Sequence, residues 1–314
     1  MTIPSLFCDY LVASDSGSPL FSGGSNRKRR RAQRSFGRCR LTSTGQSPPT
    51  KSCLFCESPL HGVRTREHIF PKWLLTFMWI AKLPVTSSRV VRAGEKFEPQ
   101  DVRDAPPIAR TEGRVCERCN NGWMSALESS AMSILKPFIG KSLSEVDDTA
   151  NLYECRGAEA LIIGRWAAKT AYMVNSASSY PLKVPQEHRT SILNGVVPPD
   201  VFVFGFPFSA EEIQWSQNTQ WEFLNASEEE LPSEATLEER TYKIGIRLRH
   251  LSLIVVWNGL PEWTLAVPRS WPVFVESNSF ERFDDEWPPG AFMAPMIGLS
   301  HAMTQIKLKR IIQK

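Results

Sequence analysis

Two Cys-x-x-Cys pairs, Cys53/Cys56 and Cys116/Cys119, constrain this chain more than any other feature. Each such turn sets two sulfurs one metal-ligand edge apart, and two turns complete a tetrahedron around Zn²⁺. The 59 residues between Cys56 and Cys116 exceed the span of a simple zinc ribbon. Loop-closure entropy grows slowly with length, so that excess costs only about 1 kcal/mol. A structural zinc supplies on the order of 10–16 kcal/mol of folding free energy in small domains, and one shared zinc site is therefore expected. Buried cysteines acting as small hydrophobes are the alternative, but two pairs at identical spacing argue against it. Cys8, Cys39 and Cys155 have no partner at ligand spacing. Seven cysteines, an odd number, suit metal ligation in a reducing compartment better than a disulfide framework.

A Glu-His dipeptide, Glu67-His68, lies between the pairs, and Asn120 directly follows the last cysteine. Phosphodiester hydrolysis needs a deprotonated water, a cation against the developing charge and a geometry that aligns them. Imidazole, with an ordinary pKa near ~6.5, accepts a proton at neutral pH. A carboxylate and an amide oxygen suit a hard cation such as Mg²⁺ or Mn²⁺. Taken singly, His68 reads as a packed or surface histidine and Asn120 as a helix cap. Their placement around the cysteines shifts that balance. In an extended segment Glu67 and His68 point to opposite faces, so a twist or bulge is expected where they serve one site.

Charge is unevenly spread. Residues 27–40 hold eight Arg or Lys, residues 1–50 carry net +6, and the rest of the chain carries −2 of a total of +4. Residues 1–50 are Ser-, Gly- and Arg-rich with little apolar periodicity, and are expected to be a disordered basic segment. That segment reads either as a phosphate-neutralising arm or as a solvated tail. Beyond it, PKWLLTFMWIAKL at 71–83 predicts a helix with Pro71 in its first turn. Residues 84–110, with four prolines, read as a long excursion. NGWMSALESSAMSILKPF at 121–138 predicts a helix that stops before Pro137, with Trp123, Leu127 and Ile134 on one apolar stripe. A further helix is predicted over 157–175, and strands over 201–206, 241–249 and 251–257, where the apolar period changes to two. No apolar run reaches the ~18 residues of a membrane span. The opening MTIPSLFCDYLVAS has no basic n-region and is a poor secretory signal, so a cytoplasmic protein without membrane contact is expected.

CLFC (53–56), TREHIFPKWL (65–74) and VCERCNNGWMSALE (115–128) together resemble the HNH endonuclease superfamily in its four-cysteine ββα-metal form. The mechanistic likeness is to the endonuclease VII type, in which an Asn metal ligand follows the last zinc cysteine. The resemblance covers about residues 52–136. Residues 141–314 read from their period-two strands as a C-terminal α+β domain with an antiparallel sheet, which makes the whole chain α+β; the resemblance implies a zinc-bound HNH nuclease domain at 51–140. It implies His68 as general base, Glu67 and Asn120 as ligands of a catalytic Mg²⁺ or Mn²⁺, and Cys53, Cys56, Cys116 and Cys119 as structural zinc ligands. It also implies DNA cleavage leaving a 5′-phosphate and a 3′-hydroxyl. The chain departs from the pattern at Thr111, where many members place an Asn that orients the histidine, and Asn121 competes with Asn120 as ligand.

Arg64, Arg66, Lys72, Arg114 and Arg118 surround the motif, and Arg66, Lys72 and Arg118 are the candidates for holding substrate phosphates. Trp73 and Trp123 read as core rather than base-stacking groups. The expected partner is DNA, with RNA and a homo-oligomer left open. A zinc-stabilised nucleic-acid-binding or protein-interaction module without catalysis is the competing reading. The 141–314 region carries no motif assignable to chemistry.

Overall fold

A computed structural model of the chain describes residues 51–60, 67–78, 85–93, 96–105, 110–140, 157–178, 181–207, 213–249, 251–269, 271, 273–275, 280–283 and 299–312. The expected basic segment at 1–50 and the 140/141 domain boundary border or fall on residues outside these. Pro48–Lys314 forms one compact unit.

The strands are β1 (Glu67–His68), β2 (Val85–Ala93), β3 (Lys96–Ala105), β4 (Thr111–Glu112), β5 (Val201–Pro207), β6 (Ile213–Asn218), β7 (Phe223–Leu224), β8 (Thr241–Leu248), β9 (Leu251–Asn258), β10 (Trp263–Pro268), β11 (Val273–Val275), β12 (Glu281–Phe283) and β13 (Lys307–Arg310). The helices are α1 (Lys72–Phe77), α2 (Ser125–Gly140), α3 (Gly157–Ala177), α4 (Gln186–Leu193), α5 (Glu234–Arg240) and α6 (Leu299–Thr304). Helix, strand and mixed sheets make this an α+β chain.

A five-stranded sheet of order β11-β5-β9-β8-β6 is antiparallel throughout. Its period-two apolar pattern fills both faces, because each face meets its own core. Val201, Val203, Tyr242, Ile244, Ile246, Leu253 and Val255 join the core that also holds Ile163, Trp166 and Tyr172 of α3 and the cysteine-bearing segments. Phe202, Phe204, Phe206, Ile254 and Val256 face a second core with Leu265, Leu308 and Met303. There they meet α6 and a four-stranded sheet of order β12-β10-β13-β7, which mixes parallel and antiparallel pairs. A Cβ on Gly245 would sit 2.9 Å from Met303 Sδ, so the bare glycine is what lets α6 close on β8.

The span read as an excursion holds a two-stranded antiparallel hairpin, β2–β3, with a register shift between Ser87 and Arg89. Helix α2 also departs from expectation, because it runs through Pro137. Proline lacks only its own N–H there, on an exposed face in the last turn, while Ile139 beyond it is fully buried. Burial of that side chain offsets the lost backbone bond. The predicted apolar stripe was too narrow, since Met124, Ala131 and Leu135 are the fully buried positions.

Candidate functional site

The first cysteine turn is shaped by its backbone. Cys53 N–H donates to the Ser58 carbonyl (2.9 Å) and Glu57 N–H to the Cys53 carbonyl (3.1 Å), with Glu57 at φ 57°, a left-handed position. Leu54 N–H then reaches the Arg114 carbonyl at 2.6 Å, which ties this turn to the residues leading into the second. In the second turn Cys116 caps a single helical turn, Glu117–Cys119, its sulfur accepting from Cys119 N–H at 3.4 Å. The Cys53 sulfur accepts from Cys116 N–H at 3.4 Å. The chain continues through a π-type turn, Asn120–Met124, kinked at Gly122, into α2.

These turns bring all four sulfurs within 4.8 Å of one another, with Cys53 and Cys119 buried and Cys56 and Cys116 half-buried. Cys56 and Cys116 sulfurs lie 3.6 Å apart. Tetrahedral zinc with bonds of about 2.3 Å requires an edge of about 3.8 Å, so the cluster fits the ion. Its electrostatics ask for one. The Cys119 thiol donating to Cys53 pulls the Cys53 pKa down to about 4, and the same contact drives Cys119 up. Burial raises Cys116. Only part of the set can ionise without a cation at its centre. The four cysteines therefore form a structural zinc-binding module, the residues that would hold the ion being Cys53, Cys56, Cys116 and Cys119.

Next to this module, β1 pairs antiparallel with β4, setting Glu67 opposite Glu112 and His68 opposite Thr111. The Ile69 N–H to Arg110 carbonyl bond (3.2 Å) extends the pairing. Both Glu67 and His68 are half-buried. Burial pushes the Glu67 carboxyl above its ordinary range, and Lys169 is the strongest charge opposing that, while Glu128 reinforces it. The Asn120 amide, interacting with the Glu67 side chain, and the Lys72 ammonium also favour its ionised form. Glu67, Asn120 and Lys72 thus share one neighbourhood. Asn121 turns elsewhere, its amide nitrogen 3.5 Å from Glu117 Oε1 on the exposed side. His68 Nδ1 is buried without a hydrogen-bond partner among the described residues, so Thr111 does not hold that nitrogen. Arg118 and Arg114 are exposed, and Arg114 is drawn to Glu112 and to the Ser176 hydroxyl. Arg64 and Arg66 lie outside the described residues. Trp73 and Trp123 pack on the core, Trp123 edge-on to Phe55 at 5.1 Å.

Two residues absent from the sequence reading complete this neighbourhood. Lys169 of α3 is fully buried, and its Nζ lies 2.5 Å from Glu128 Oε1 on α2. The available signal was a lone cation inside the apolar run of α3, WAAKTAYM. Glu128 gave no signal, since a carboxylate in the first turn of a helix is ordinary surface chemistry.

Compared with known proteins, the chain matches no family model, no curated protein and no solved structure. Among the described residues no helix is long and apolar enough to cross a membrane.

Proposed function

We propose that this chain is a zinc-stabilised, metal-dependent endonuclease of HNH type acting on DNA, with Zn²⁺ structural and Mg²⁺ or Mn²⁺ catalytic. The observation that carries the reading is the Glu67–Asn120 contact beside the four-sulfur cluster. In this scheme the cysteines hold zinc away from the chemistry, and the carboxylate and amide hold the catalytic cation. His68 takes the proton of the attacking water, and Lys72, Arg118 and Arg66 steer the phosphodiester. A divalent cation, when bound, would polarise the phosphate and lower the pKa of its water. The unpartnered Nδ1 of His68 leaves the Nδ1–H tautomer, with Nε2 as base, without the usual orienting acceptor.

That same unpartnered nitrogen favours a second reading, a zinc module that binds nucleic acid or protein without cutting. The four-sulfur cluster supports the zinc module of this narrower reading, which needs no second cation site. Plasmid nicking separates the two. With Mg²⁺ or Mn²⁺ the wild-type protein is expected to nick, and His68→Ala to lose roughly a hundredfold or more, the usual contribution of a general base. Equal cutting by both proteins contradicts the role of His68. A gel shift with no cutting by either establishes the binding module.

A further inference from the structure

The four sulfurs of the cluster are not equivalent toward solvent. Cys53 and Cys119 are 1% and 2% exposed, whereas Cys56 and Cys116 are only half-buried. Each turn thus supplies one inner and one outer sulfur. The two outer sulfurs, 60 positions apart in the chain, lie 3.6 Å from each other. Cys56 Sγ also lies 3.3 Å from the hydroxyl of exposed Ser58, which marks the open side of the cluster. An oxidant must touch a thiolate to react with it, so exposure selects the sulfur attacked. A second sulfur within reach then selects a disulfide as the product. Closing 3.6 Å to a bond of ~2.05 Å asks each sulfur to move by less than about 1 Å.

We propose that Cys56 and Cys116 form a peroxide-sensitive modification site, whose oxidation links the two cysteine turns and releases the zinc. The proposal rests on the four-sulfur cluster alone and is independent of the endonuclease reading. The thiolate of one outer cysteine attacks a peroxide oxygen; the O–O bond breaks, a sulfenic acid forms and hydroxide leaves. The other outer thiolate attacks that sulfur, the S–S bond forms and a second hydroxide leaves. Two thiolates and one hydrogen peroxide give one disulfide and two hydroxides, the sulfurs losing two electrons and the peroxide gaining them. Cys53 and Cys119 remain as thiolates, too few for a tetrahedral four-thiolate site. The new bond joins one turn to the other across the 59 residues between them, so the product is a stapled, zinc-free chain. A bond within either turn would instead free the turns from each other. Exchange with a dithiol breaks the staple and restores all four ligands.

The test treats the zinc-loaded full-length protein with hydrogen peroxide, read by a chromophoric zinc chelator and by non-reducing peptide mapping. Zinc release is expected in step with a Cys56–Cys116 disulfide, one ion per bond. Dithiothreitol and added zinc should then restore the free thiols and the bound ion. With chelator present in both samples, the oxidised chain is expected to melt above the reduced, stripped chain, because only the former keeps its turns tied. Zinc retained at peroxide levels that oxidise free cysteine in the same buffer overturns the proposal. A main product of Cys53–Cys56, Cys116–Cys119 or Cys53–Cys119, or a bond to Cys8, Cys39 or Cys155, overturns it equally. So does an oxidised chain that melts at or below the stripped one. Protein that binds no zinc at any stage removes the zinc module itself, whereas loaded protein that cross-links elsewhere removes this inference alone.

Discussion

Lys243 of β8 is the residue whose chemistry is most plainly set by its surroundings. It is fully buried, donates to the Met303 (3.0 Å) and Ile306 (3.5 Å) carbonyls at the end of α6, and lies 4.3 Å from the Trp221 ring centroid. Burial nevertheless lowers its pKa from 10.5 to about 7, with Glu222 opposing that fall. Below about 7 the folded and unfolded chains both hold the proton; from about 7 to 10.5 only the unfolded chain does. Stability from this group is therefore lost as pH falls through about 7 and gained as pH rises toward 10.5. Lys243→Met should flatten that rise, read as the wild-type-minus-variant difference in melting temperature from neutral to alkaline pH. An unchanged pH profile would refute the assignment. A second residue-scale prediction concerns the cluster. Cys119→Ser removes the most deeply placed ligand of the second turn and should leave less than one zinc per chain by elemental analysis, with a lowered melting temperature.

At the scale of elements, the contact of α6 with β8 is limited by one backbone position. Gly245→Val places carbon within about 3 Å of Met303 and Leu299 side chains, and should destabilise the protein by about 1–3 kcal/mol in a denaturant melt. Full retention of stability would mean that α6 shifts without cost. Elements like β8 and β9 were legible in the sequence because their alternation is clean and each face meets a core. Helix α3 was legible for its apolar density. The hairpin β2–β3 was not, since Pro99 and mixed charges hide its pairing, and α2 ran past Pro137 because burial of Ile139 outweighs one missing N–H. The zinc ligands were fully legible because spacing alone fixes them. Glu128 and Lys169 were not, because residues 41 positions apart meet only through the packing of two separate helices.

For the whole molecule, the zinc module and the large sheet share one hydrophobic core, running from Cys53 and Phe55 through Trp166 and Tyr172 to Val255. Gln186 of α4 adds contacts to the Leu54 and Phe55 carbonyls at 3.4 and 3.3 Å, fastening the first cysteine turn from the C-terminal side. Zinc stripping should therefore lower the melting temperature of the entire Pro48–Lys314 unit in one transition, measured by calorimetry with and without a strong chelator. Two separable transitions would contradict a shared core. The central claim is that one zinc-centred fold brings an acid and an amide together as a second cation site. The most direct measurement is a crystal soaked in MnCl₂, with anomalous difference maps at the zinc and manganese edges. The account predicts zinc among the Cys53, Cys56, Cys116 and Cys119 sulfurs and manganese between Glu67 and Asn120. Zinc at its place with no manganese beside Glu67 would contradict it.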